Sequence, residues 1–182
     1  MWYLPAKQTS PPASEPVSVA EVKSHTYIDH ADDDGEIGML ISAACDHIER
    51  YCNIRLMTQT IDVKCDSFDD FAFLPFGPVQ SISAVKYIDT AGAEQTVDAS
   101  VYELRADGSE ACIVTQYGKT WPARRIGTRI TVTAIVGYEK LPAAIKHALL
   151  LYVAVGFSDR EAREVVTFST ADALLANFRH GA

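Results

Sequence analysis

Hydrophobic positions follow different periods in different stretches of the chain. Behind Asp33-Asp34-Gly35-Glu36, the residues Ile37, Leu40, Ile41, Ala44, Cys45, Ile48, Tyr51 and Cys52 recur at steps of three and four, with Asp46, Glu49 and Arg50 off the stripe. That period puts the apolar side chains on one face and predicts an amphipathic helix over 34–53. Ser18-Val19-Ala20-Glu21 has the spacing of a capping box and predicts a short helix over 18–28; Asp33 to Glu36 has the same spacing. From Leu56 to Val136 the period changes to two. Thr58–Lys64 and Ile82–Ile88 alternate, and Thr128–Val136 is rich in β-branched residues. Turn sequences follow at Asp89-Thr90-Ala91-Gly92 and Ala106-Asp107-Gly108-Ser109.

Leu141-Pro142 then opens a long helix over 142–158, with Pro142 at its first position. Ile145, Ala148, Leu149, Tyr152, Val153 and Gly156 form one stripe. Leu150, Leu151, Ala154, Val155 and Phe157 cover much of the rest. A helix apolar nearly all round is buried on several sides, and a neighbouring subunit can supply one of them. Leu174, Leu175 and Phe178 form a second stripe in a short terminal helix. The fold class is therefore α+β. Helices lie at both ends, two N-terminal, one long and one short C-terminal, around an inserted antiparallel β meander or small sandwich over 56–136.

Residues 1–17 hold Pro5, Pro11, Pro12 and Pro16 and read as an extended arm with Trp2 and Tyr3 near its tip. The expected organisation is this arm, a single domain over 18–160, and a C-terminal docking arm over 161–182. At 182 residues, with 48% hydrophobic and 22% charged positions, the chain is neither wholly disordered nor a rod. A net charge of −8 and a pI of about 5.0 argue against a general nucleic-acid binder. The charge is uneven: residues 1–100 carry a net of −10 and residues 101–182 a net of +2. The longest uncharged apolar run, Ala148 to Phe157, is far short of the roughly 20 residues that span a bilayer, so a soluble chain is expected. Cys45, Cys52, Cys65 and Cys112 form no CxxC pair, and a reduced, buried set is expected.

Each candidate for site chemistry also has a plainer reading. Asp32, Asp34 and Gly35 fit inner positions of a calcium loop, but His30 and Ile41 occupy its first and last. His25, His30 and His47 lack zinc-ligand spacing. No GxSxG elbow occurs, and Gly118-Lys119-Thr120 lacks the upstream glycine of a phosphate loop. Asp66, Asp69 and Asp70 read as a solvated loop. No catalytic, cofactor or metal site is expected, and the chain is not read as an enzyme.

The motifs carry more in their order. Ser18-Val19-Ala20-Glu21-Val22-Lys23 is followed by Ile48-Glu49-Arg50-Tyr51-Cys52. Gly77-Pro78-Val79-Gln80-Ser81-Ile82 and Val85-Lys86-Tyr87-Ile88-Asp89 come next, then Trp121-Pro122, Val136-Gly137-Tyr138 and Leu141-Pro142-Ala143-Ala144-Ile145-Lys146. This succession, over about residues 18–160, resembles the head–tail connector (adaptor) proteins of long-tailed phages and phage-derived gene transfer agents. The resemblance implies a structural virion protein made in the bacterial cytoplasm. Its copies would form a ring, usually a dodecamer, beneath the portal, with a stopper or tail neck protein below and DNA passing through without specific binding. No membrane is involved.

On that footing, Val165, Val166, Phe168, Leu174, Leu175, Phe178 and Arg179 are the expected portal contacts. Leu150, Leu151, Val155, Phe157, Trp2 and Tyr3 are the expected contacts between copies. Trp121, Arg124 and Arg125 are expected to meet the next neck protein, against the plainer reading of Trp121 as a cover for one end of the sheet. Deleting 165–182 is expected to leave the fold intact. The rival readings are another neck subunit, a stopper or tail terminator, and a small hydrolase.

Overall fold

The computed structural model describes residues 6–107, 110–158 and 170–180. Contacts divide the chain into two compact units, each with its own buried cluster. One is a β unit, reaching to Ala13 and taking up again at Thr58–Gly137. The other is a helical unit, Ser14–Met57 with Tyr138–His180.

In the helical unit, α1 (Val19–Thr26) begins with the capping box read from the sequence. The Ser18 hydroxyl accepts from Glu21 N at 3.2 Å, and Ser18 N donates to the Glu21 carboxylate at 3.0 Å. It stops short of Ile28 because Tyr27 turns left-handed at φ 58 and Ile28 N donates back to Lys23 O. The second predicted box does not form. Asp33 caps α2 (Asp34–Cys52) with backbone angles of −98 and 6 and makes no side-chain cap bond. Extended backbone at the cap is what aims a carboxylate at the first-turn amides, and Asp33 lacks it. Asp34 instead receives Lys23 Nζ at 2.8 Å from α1. The stripe of α2 is buried as expected at Ile37, Ile41, Ala44, Ile48 and Cys52. It meets Ile145, Ala148, Leu149 and Val153 of α3 (Ala143–Ser158). The short α4 (Thr170–Leu175) and a 3-10 turn over Ala176–Phe178 complete this unit.

The β unit is antiparallel throughout. A five-stranded sheet runs in the order β1-β2-β7-β3-β4, from β1 (Lys7–Ser10), β2 (Gln59–Cys65), β3 (Val79–Ile88), β4 (Glu94–Thr96) and β7 (Ile130–Val136). A two-stranded sheet pairs β5 (Tyr102–Arg105) with β6 (Cys112–Thr115). Strand β7 is central and alternates buried Ile130, Val132, Ala134 and Val136 with half-buried Thr131, Thr133 and Ile135. The structure adds an edge strand that the extended-arm reading missed, since Lys7 pairs with Asp62 and Gln8 with Ile61. Asp66, Asp69 and Asp70 are more than a solvated loop. Ser67 and Asp70 form a capping box that starts a 3-10 helix over Phe68–Ala72 and buries Phe68 and Phe71. At the β3–β4 turn, Asp89 accepts from the amides of Ala91 and Ala93 at 2.9 Å, with Gly92 at φ 92. The amide of Ala93, then the side chain of Gln95, hold the Asp89 carboxyl below its ordinary range.

Candidate functional site

The candidate sites are surfaces. Among the described residues no group of three or more His, Cys, Asp or Glu side chains is placed to hold a metal ion. No helix among them is long and apolar enough to cross a membrane.

The outward side of α3 carries the expected inter-copy residues. Leu150, Leu151 and Phe157 are half-buried against the helical core, and Val155 is 60% exposed. Helical spacing puts the buried Ile145, Ala148, Leu149 and Val153 on one side and Leu150, Leu151 and Ala154 on the other, while Val155, seven residues after Ala148, lies at the exposed edge of the buried side. The helix thus fills its own core on one flank, covers Leu150, Leu151 and Phe157 in part, and leaves Val155 open. Its start is tied to α1 by an ion pair of Lys146 with Glu21, which lowers the Glu21 pKa. His25 of α1 meets His147 edge-on, ring centres 6.2 Å apart. Trp2 and Tyr3 lie outside the described residues.

The C-terminal segment is fastened to its own unit. Leu175 is fully buried and Ala171 nearly so, while Leu174 and Phe178 pack partly on the same core. The Tyr152 hydroxyl donates to Asp172, and the Arg179 guanidinium stands 5.0 Å from the centre of the Tyr51 ring. His180 N donates to Cys52 O at 2.8 Å. Of the expected portal contacts, then, Leu175 belongs to the core, Leu174 and Phe178 are half-covered, and Arg179 is exposed. Val165, Val166 and Phe168 lie outside the described residues. His47 stacks on Tyr51 at 5.8 Å and meets Tyr152 edge-on at 5.0 Å, beside a groove lined by Ala43, Asp46, His47, Arg50 and Tyr51.

In the β unit, Trp121 is half-buried among aromatic rings of its own unit. Its ring stacks on Phe68 at 4.7 Å with planes 3° apart, and it also meets Phe71 and Tyr102. Arg124 is half-buried and its Nη1 donates to Thr128 O at 3.0 Å. Arg125 is exposed, and its backbone amide donates to Ile88 O. Of the three residues expected to meet the next neck protein, only Arg125 therefore lies open. The same connection exposes two residues that the sequence reading passed over, Tyr117 and Ile126. Each precedes a glycine, and that pairing was the available signal.

Comparisons with known proteins follow this geometry. A family model described as head completion protein matches residues 15–172, which span both units. The chain is similar in structure to a protein in the neck of an empty gene transfer agent particle computed with C6 symmetry. The TM-score is 0.80 at 19% identity, covering 97% of this chain and 96% of that one. It is equally similar to a chain in the virion of a native gene transfer agent particle, with a TM-score of 0.80 at 20% identity and the same coverage. A chain from the neck of the native particle computed with C12 symmetry gives 0.78 at 20% identity, again covering 97% and 96%. At such identity these likenesses establish the fold. A search of curated proteins finds no match.

Proposed function

Because the chain belongs to the head completion protein family, we propose that its work is structural. It is a neck adaptor that joins head to tail in the particle of a phage or gene transfer agent. The observation that carries this is the family match over 15–172, which takes in both units and not one shared motif. The fold likeness to neck chains, over 97% of its length, supports the location in the virion neck.

The finer assignments are our reading. Copies of the chain form a ring, of twelve in the form we favour, and DNA passes through it without specific binding. The head-side partner is the portal, reached through the C-terminal segment by Leu174, Phe178 and Arg179 together with Val165, Val166 and Phe168. The outward flank of α3, with Leu150, Leu151, Val155 and Phe157, packs against a neighbouring copy. A stopper or tail neck protein meets the β unit. We assign no catalytic chemistry and no cofactor to the chain.

Heads produced without this chain are expected to fail to take tails and to be completed when the purified chain is added back. Co-sedimentation with purified portal tests the head-side partner. Tails that join in its absence, or a chain that binds tail tubes and ignores the portal, would assign it to another neck position.

A further inference from the structure

The connection from β6 to β7 contains two tight turns built alike. Lys119 N donates to Gln116 O at 3.0 Å with Gly118 at φ 73, and Thr128 N donates to Arg125 O at 3.4 Å with Gly127 at φ 81. A positive φ at the third turn position is type II geometry. The second positions are Tyr117 and Ile126, which are 107% and 94% exposed. Turn positions of this kind favour proline and small polar residues, and these two leave large apolar side chains bare at the tips. From Gln116 to Arg129 the chain carries Lys119, Arg124, Arg125 and Arg129 and no acidic residue, within a protein of net charge −8. Arg129 pairs with Asp66 at 3.6 Å and Arg124 folds back onto Thr128 O, while Lys119 and Arg125 are exposed.

The helical unit carries a surface of complementary form. The groove of about 560 Å³ lined by Ala43, Asp46, His47, Arg50 and Tyr51 opens on the outer side of α2. Met39, 65% exposed, lies one helical turn before Ala43. Asp29, Asp32, Asp33, Asp34 and Glu36 lead into the same helix. The segments of this unit, 14–57 and 138–180, hold fourteen acidic and eight basic residues, a net of −6.

A closed ring of more than two copies needs two different and matching surfaces on every subunit. We infer that Tyr117 and Ile126 of one copy seat on the Met39–Ala43–His47–Tyr51 side of α2 in the next copy, with Lys119 and Arg125 facing its acidic unit. This rests on the ring reading above and names one of its contacts. The occupant is a second copy because the charges match at the start of α2: the cationic, apolar-tipped connection meets Met39 where Asp29, Asp32 and Glu36 lead into the helix, while Arg50 and Arg179 sit at the Tyr51 end of the recess. Opposite charge sets the register of such a contact, and the two buried tips supply its affinity.

The test is sedimentation of the full chain over a range of concentrations, at low and high salt. Self-association that weakens with salt is expected. One variant combines Y117S with I126S and removes the tips. A second combines M39K with A43K and sets like charge against them. All four positions are exposed, so both variants are expected to melt as the wild type does. Each alone is expected to associate about tenfold or more weakly. Mixed in equal amounts, the two leave one intact interface and are expected to give a one-to-one pair that grows no further.

A tip variant that associates like the wild type overturns the inference, as does a mixture that forms no pair. Loss in the tip variant but not in the α2 variant moves the recess elsewhere and overturns the stated contact. A wild type that stays monomeric at every concentration also overturns it, and leaves the neck assignment, which rests on the family, untouched. Tip variants that self-associate normally but fail to complete heads would point to a different neck protein as the occupant.

Discussion

Burial pushes the thiols of Cys45 and Cys65 up to about 12 and that of Cys52 up to about 11, from an ordinary value of 9.0. The native state therefore keeps these protons where the unfolded chain loses them. The stability that these thiols contribute is full below pH 9.0 and falls as pH rises from there toward about 12. Burial raises the hydroxyls of Tyr102 and Tyr138 in the same sense. Urea midpoints that drop steadily across this alkaline window would bear this out, and midpoints that stay level would contradict it. Side-chain placement sets a second contrast. Leu175→Ala empties a fully buried site and is expected to cost about 2–5 kcal/mol. Val155→Ala, at an exposed site on α3, is expected to stay within about 0.5 kcal/mol. Thermal melts of the two variants read the difference directly.

Helix starts show how far local sequence reaches. Ser18 and Ser67 each accept an amide hydrogen bond at their cap, in both cases on extended backbone. Ser18→Ala and Ser67→Ala are each expected to lose about 1 kcal/mol, measured as a shift in denaturant midpoint. The Ser18 box was legible because its spacing precedes a periodic stretch. The Ser67 box has the same spacing, but it opens a single 3-10 turn between strands, too short to show a helical period. The Asp33 spacing misled for the opposite reason: its backbone is not extended, and spacing alone does not fix a dihedral angle. Edge strand β1 was hidden as well. Its four residues are all exposed, so no alternation of burial marks it, and its pairing with β2 is made across fifty or more positions of chain.

Removing residues 165–182 was expected to leave the fold intact. The structure corrects this, because Ala171 and Leu175 belong to the buried cluster shared by α2 and α3. The truncated chain is now expected to melt lower through loss of the helical unit's packing while the β unit keeps its strand signal. Circular dichroism at helix and strand wavelengths separates the two effects, and an unchanged helical melt would count against the assignment. Any test of portal binding then needs surface substitutions such as Arg179→Ala in place of deletion, because Arg179 is exposed and Leu175 is not.

By itself the sequence determined the α+β class, the α2 and α3 helices, the presence of strand β7 and the family. These follow from periodicity and from the order of motifs, both local properties of the chain. Only the tertiary structure decided that Trp121 is stacked inside an aromatic cluster while Tyr117 and Ile126 stand bare, and that Leu175 is core while Val155 is surface. An apolar residue at a turn or on an all-apolar helix reads the same whether it is covered or open. What covers it comes from residues distant in the chain, and their approach is fixed by packing.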